Sequence, residues 1–358
     1  MFSAKSLKFL KDLMTSSGPS GFEEESAAVM RDYLAGFAKD VHTDVMGNTI
    51  GVINPKSDFK VMLAGHYDEI GFQIVYISEE GLLYFREVGG IDKITIPGTE
   101  VDILTPKGKV SGVIGKKPIH LTKPKEREQA LELSDLWIDI GAESAKDAAK
   151  IVSIGDPVSF KPNFEMLGKH RIKSKGIDDK IGAFIAAETL RELSSKKIEA
   201  AVYCVGTVQE ELGLRGAETS AFGINPAVGI AIDVSFTTDT PDIQKKILGD
   251  IKFGSGPIIQ RSADNNSVLI EKLKKAASAK KIPIQESCGH RASGGTDAAK
   301  IQMTRAGVAT AIVSIPNRYM HTQVEMCDIR DVENCVKLLT EAIAAMKKKD
   351  SFIPCLKK

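Results

Sequence analysis

AAVYCVGTVQEELGLRGAETSAFGINPAVGIAIDV (200–234) decides the fold. It holds two apolar runs rich in β-branched residues, AAVYCVGTV (200–208) and AVGIAIDV (227–234), each closing on acid: Glu210 and Glu211 after the first, Asp233 in the second. Such runs, bounded by Gly, Asn and Pro, read as strands. The first is too apolar for an exposed strand. Working outward, VATAIVSIP (308–316) is a third strand-like run, and residues 179–195, 264–280 and 328–347 have helical spacing. Strand-like and helix-like runs that alternate predict an α/β fold, a three-layer α/β/α domain around a mainly parallel sheet.

Towards the N-terminus, Ser20 and Glu23 have the spacing of a capping box. With Val29, Met30, Tyr33, Leu34 and Phe37 behind them, they predict an amphipathic helix over 22–38. Short strands are expected near 41–53 and 60–65. From about 71 to 160 the texture changes to short β-rich runs broken by Gly and Pro turns, among them GFQIVYI (71–77), GLLYFREV (81–88) and GKVSGVIG (108–115), with one helical piece near 144–150. The simplest organisation is an α/β domain over 1–69 and 165–358, interrupted by a small β domain over 70–164. The tail KKKDSFIPCLKK (347–358) reads as a solvated end.

Bulk composition narrows the function. Lys and Arg number 48 against 47 Asp and Glu, a balance with no electrostatic footprint for nucleic acid or an anionic membrane. No apolar run approaches the ~20 residues that span a bilayer, and MFSAKSLKFLKDLM (1–14) lacks the apolar core of a signal peptide. The five cysteines show no CxxC pairing, which reads as reduced thiols in the cytoplasm.

Acidic or imidazole residues stand where predicted strands end or a helix opens: His66 and Asp68, Asp178 and Asp179, Glu210 and Glu211, Asp233, and His321. In open α/β sheets ligands bind outside the carboxyl ends of the strands, so distant segments can meet there. Imidazole nitrogen and carboxylate oxygen suit zinc and related ions. Two ions sharing one carboxylate need a bridging Asp and two further ligands each, a number that His66, Asp178, Glu211, Asp233 and His321 supply. Three ligand carboxylates and a hydroxide balance two divalent ions, and Glu210 is left over as an acid/base. Each residue alone has a plainer reading. His66 can be a hydrogen-bonded histidine, Asp178 or Asp179 a helix N-cap, Glu210 and Glu211 a solvated pair, and Asp233 a turn residue. Together the plain readings must all hold at once. His42, His120, His170 and His290 read as surface or core residues, and Gly294-Gly295-Thr296-Asp297 as a tight turn, since it lacks the Lys of a phosphate loop.

GPSGFEEE (18–25), DVMGNTIGVI (44–53), LAGHYDEIGF (63–72), GIDDKIG (176–182), VQEELGLRGA (208–217), AIDVSFTTDTP (231–241), GGTDA (294–298) and SIPNRYMHTQVE (314–325) run through the chain in order. In these stretches it resembles the tetrahedral (TET) aminopeptidases, dinuclear metallopeptidases that also go by glutamyl, leucyl or deblocking aminopeptidase and, in places, endoglucanase. The resemblance implies that His66, Asp178 and Asp233 hold one divalent ion, zinc or cobalt, and that Asp178, Glu211 and His321 hold the other. Glu210 would be the general base, and Asp68 would orient His66. It also implies peptide substrates cut at the free N-terminus, and dimers assembling into a hollow dodecamer through the inserted domain. Tyr67 and Lys180 depart from the pattern, which usually has Met or Ile and Arg there.

Other readings predict other residues. A glycoside hydrolase needs two carboxyl groups ~5–9.5 Å apart and no imidazole. A metal-dependent carboxypeptidase or deacylase would share the domain but not the motifs. A silent assembly protein would have lost part of the ligand set.

Overall fold

The computed structural model describes residues 2–124 and 130–354. Its centre is an eight-stranded sheet in the order β1-β2-β12-β3-β13-β16-β14-β15. These strands are β1 (Asp40–Thr43), β2 (Thr49–Ile53), β3 (Lys60–His66), β12 (Ala201–Thr207), β13 (Val228–Phe236), β14 (Ile258–Gln260), β15 (Gln285–Ser287) and β16 (Ala309–Asn317). The four middle strands, β12, β3, β13 and β16, run parallel, while β2 and β14 flank them antiparallel. Side chains alternate across a strand, and here both faces are buried. Val61 and Leu63 of β3 join one apolar cluster, whereas Met62 and Ala64 join another.

The first face carries α1 (Ala4–Thr15), α2 (Glu24–Leu34), α3 (Ile177–Ser194), α5 (Ser267–Lys280) and α7 (Ile329–Ala345). The second carries α4 (Arg215–Ile224) and α6 (Ala298–Gln302). The chain is therefore the three-layer α/β/α fold that the alternating pattern predicts. The helix α3 lies against β3 so closely that a Cβ on Gly65 would stand 2.3 Å from the backbone carbon of Gly182. Only glycine fits there.

Six strands close a separate barrel in the order β4-β5-β8-β7-β6-β9: β4 (Gly71–Ile77), β5 (Leu83–Val88), β6 (Glu100–Thr105), β7 (Gly108–Lys116), β8 (Leu136–Asp139) and β9 (Pro157–Phe160). It has its own core, in which Phe72 meets Phe85 and Phe160 edge-on at ring separations of 4.8 and 5.4 Å. Closure leaves no free sheet edge. A third, antiparallel sheet, β10-β11-β17, joins β10 (Glu165–Leu167), β11 (Arg171–Ser174) and β17 (Glu325–Asp328).

Several expectations are corrected. The helix expected over 22–38 spans Glu24–Leu34, and the capping box does not form. Glu23 Oε1 instead accepts from the amides of Gly21 and Gln209, and Ser20 Oγ donates to Asp68. Both side chains are drawn inward by a buried polar cluster that outcompetes a local cap. The tail is not simply solvated. Phe352 packs on Phe59, and its carbonyl accepts from Asn266 Nδ2 at 2.8 Å. Cys204, Cys288, Cys327 and Cys335 are free thiols, and Cys355 lies outside the described residues.

Candidate metal centre

Because β3, β12, β13 and β16 are parallel, their carboxyl ends share one edge of the sheet, and the acidic and imidazole residues meet there. His66 closes β3, and Asp233 lies near the end of β13, paired in register with Ser314. His321 follows β16 with φ 62°, and Asp178 lies where α3 opens. One ligand atom each from His66, Asp178 and Asp233 lies within 4.8 Å of the others. The same holds for Asp178, Glu211 and His321, so the two triads share Asp178. Its two oxygens face opposite imidazoles: Oδ1 is 3.1 Å from His66 Nε2, and Oδ2 is 3.4 Å from His321 Nε2. Glu211 Oε1 lies 3.5 Å from His321 Nε2.

The Asp178–Asp179 peptide is cis. Asp179 takes the role of helix cap, accepting the Gly182 amide at 3.0 Å, and its other oxygen accepts the His66 amide. Asp178 is thereby free to face the imidazoles.

The turn after β12 is gripped from outside. Four successive amides are accepted by side chains of other segments: Val208 by Asn48, Gln209 by Glu23, and Glu210 and Glu211 by the two oxygens of Asp68. With Gln209 at φ 53°, the turn sends both glutamates to the same site. Glu210 Oε2 stands 3.8 Å from His66 Nε2. The outer ring nitrogens are held as well. His66 Nδ1 is 3.2 Å from the Asp68 carbonyl and 3.4 Å from its carboxylate, and His321 Nδ1 is 2.7 Å from the Gly90 carbonyl, on the loop leaving β5. Such partners leave Nε2 of each ring free to ligate.

Electrostatics test whether these residues suit a cation. Burial, then the charge of Asp178, pushes Glu211 up to about 8 and Asp233 up to about 7. Burial opposes protonation of His66, but the charges of Glu210 and Asp68 outweigh it and raise it well above its usual value. Burial likewise opposes His321, yet hydrogen bonding to Asp178 and the charge of Glu211 lift it to about 10. Carboxylates crowded out of water thus draw protons onto themselves and onto the imidazoles. A divalent cation in each triad would relieve that crowding, and the nitrogen and oxygen donors suit zinc or cobalt.

A cavity of about 660 Å³ opens over the triads, walled by Phe236, Gln260, His290, Arg291, Thr296 and Met320. Two stretches set aside on sequence belong to this region. His290 is on the cavity wall, its ring 5.2 Å from that of Phe236. Gly294 and Gly295 take left-handed backbone at φ 80° and 88° in a bend, while Thr296 lines the cavity and the buried Asp297 accepts from Thr207 Oγ1 at 2.6 Å. Two acids were passed over as site residues and a third, Glu23, was read only as a helix cap. Glu325 accepts the amides of Asp178 and His321. Glu69 binds both Lys175 and Lys180, and all three are fully buried. Glu23 holds the Gln209 amide. The only sequence signal of Glu69 and Glu325 is acid placed near a ligand motif.

Known proteins resemble this chain over nearly its whole length. The family described as M42 glutamyl aminopeptidase matches residues 47–338. The lysyl aminopeptidase of Pyrococcus furiosus is 36% identical over 350 residues, covering 97% of this chain and 99% of that protein. Among solved structures, a TET aminopeptidase from a marine-sediment archaeon of the Thaumarchaeota superposes with a TM-score of 0.92 at 35% identity, over 96% of this chain and 97% of that one. The TET1 peptidase of Pyrococcus horikoshii, which can assemble into a tetrahedron or a large octahedral shell, gives 0.85 at 33% identity, over 95% and 100%.

Proposed function

The chain belongs to the M42 glutamyl aminopeptidase family and is a peptide hydrolase, and from that premise we propose that it removes N-terminal residues from peptides at a dinuclear metal centre, with Glu210 as general base. One observation carries the reading: two ligand triads that share Asp178. His66, Asp178 and Asp233 would hold one ion, and Asp178, Glu211 and His321 the other. Bound there, two divalent ions, zinc or cobalt, would polarise the scissile carbonyl and lower the pKa of a water.

The chain's own groups do the rest. Glu210 stands at the rim of the first triad, with its backbone fixed by Asp68. Burial and neighbouring acids raise its carboxyl well above the usual range, which suits a group that takes a proton from water and passes it to the leaving amine. Asp68 holds His66 in one tautomer. The imidazoles favour this reading over a glycosidase, which would need none.

The test is hydrolysis of aminoacyl p-nitroanilides, with and without EDTA and added zinc or cobalt. Activity should vanish with chelation and return with metal; hydrolysis that survives full chelation would remove the metal from the reaction. Glu210→Gln should keep both metals and lose ~10²–10⁴-fold in kcat. Full metal content with unchanged kcat would remove Glu210 from the mechanism.

The barrel spanning Gly71–Phe160 lies within residues 70–164, which we propose as an inserted domain for subunit assembly, on the example of the Pyrococcus horikoshii peptidase that can assemble into a tetrahedron or a large octahedral shell. Free cysteines fit action in a reducing compartment such as the cytoplasm.

A further inference from the structure

Two of the proposed ligands come from segments that leave a single pair of strands. In the small sheet, β11 and β17 run antiparallel, with Ser174 opposite Glu325. Four residues beyond Ser174 the chain reaches Asp178, and four residues before Glu325 it passes His321. Two side chains hold these excursions together once they part. Asn163 spans them nearer the strands, its Oδ1 accepting the Lys175 amide at 2.7 Å and its Nδ2 donating to the Gln323 carbonyl at 3.0 Å. Glu325 spans them at the ligands themselves. Its Oε2 accepts the Asp178 amide at 2.7 Å, and its Oε1 accepts the His321 amide at 3.0 Å. The residue is 2% exposed, so water cannot replace it. Both hydrogen bonds go to backbone, one to the ligand shared by the triads and one to a ligand found only in the second.

We propose that Glu325 is the positioning residue of the second metal site, fixing Asp178 and His321 relative to each other so that both can ligate one ion. This rests on the dinuclear reading above. His321 needs such a hold because it sits in the left-handed region, at φ 62°, where a histidine backbone has little preference of its own to stay. Asp178 needs it because its backbone is non-helical, at ψ 106°, and so outside the regular hydrogen bonding of α3. Glu325 presents two acceptors at a fixed spacing. A glutamine in its place has one acceptor and turns an NH₂ towards the second amide. The first site keeps His66 on β3 and Asp233 on β13, and of its three ligands only Asp178 donates a hydrogen bond to Glu325.

The experiment is metal titration of chelator-stripped wild type, Glu325→Gln and Glu325→Asp by calorimetry, with metal content counted after dialysis and folding followed by circular dichroism. Wild type should bind two ions. Glu325→Gln should keep the tighter ion within a few-fold and lose ~10–100-fold in affinity for the other, the range seen when a group that orients a ligand is removed. Glu325→Asp keeps the charge but draws the oxygens back by one methylene, and should lose the second ion to a smaller degree; it covers the case in which Glu325→Gln does not fold. Two ions bound by a folded variant as tightly as by wild type, whatever its melting temperature, would overturn the proposal and leave Glu325 a packing residue. Wild type binding fewer than two ions would instead overturn the dinuclear reading on which it stands.

Discussion

Glu69 carries two ammonium groups on one buried carboxylate. Lys175 and Lys180 both donate to it and to the Ser16 carbonyl, and Ser159 of the barrel completes the cluster. Burial works against its charge, but the two lysines prevail and hold its carboxyl down to about 2. Replacing Glu69 by Gln should cost ~3–5 kcal/mol in urea denaturation at neutral pH, since buried cations lose their partner. Because the folded pKa is depressed, this contribution is fully present above the ordinary carboxylate range and is lost as pH falls through about 2. The gap between wild type and Glu69→Gln should therefore narrow in acid, and a gap independent of pH would show that the charge is not what matters. Among the ligands, His66→Ala or Asp178→Ala should lower metal content in elemental analysis after dialysis, with Asp178→Ala affecting both ions. Residues such as Asp233 were legible as candidates because an acid near the carboxyl end of an apolar run stands where parallel strands gather their ligands. Glu325 and Asp297 were not, because their partners are a backbone amide and a hydroxyl brought near only by folding, and neither sits in a pattern of its own. His290 was passed over for the same reason: no local feature marks a cavity wall.

Elements were readable where one face had to be buried. The helices expected at 179–195, 264–280 and 328–347 appear as α3, α5 and α7, spanning Ile177–Ser194, Ser267–Lys280 and Ile329–Ala345. Boundaries followed caps that a pattern cannot rank. Asn266, whose side chain accepts the Leu269 amide, starts α5 three residues later than its apolar spacing suggested. The helices α1 and α4 were overlooked: Lys-rich spacing masks the buried stripe of Phe9, Leu10 and Leu13 in the first, and the second is short and rich in small residues. Contact between α3 and β3 leads to a prediction at this scale. Gly65→Ala would drive a Cβ into the Gly182 backbone, so the helix must shift. It should destabilise the fold by at least ~1–3 kcal/mol. Asp178 rides on the same helix, so metal affinity should fall with stability. An unchanged melting temperature would mean that α3 tolerates a wider gap than its packing implies.

At the scale of the whole molecule, the three-layer architecture followed from alternation alone, whereas the closure of the β module into a barrel did not, since strand order within it depends on pairings between runs far apart, such as β4 with β9. Two measurements address the molecule as a unit. Ions that bind only the folded chain stabilise it by mass action, by ~4 kcal/mol at a thousandfold excess over Kd. EDTA should thus lower the melting temperature, and metal should restore it; an unchanged melting temperature would argue that the triads stay empty. Light scattering after size exclusion should give a mass that is a multiple of 38.7 kDa, and a lone 38.7 kDa species at micromolar concentration would remove the assembly assignment. The carbonyl of Gly90, taking its hydrogen bond from His321, has a bearing on both. It belongs to the strand-rich lobe, while the imidazole it steadies belongs to the other. One hydrogen bond therefore spans the two lobes, and the edge of the ring that His321 turns towards Asp178 and Glu211 is set in part from the barrel side.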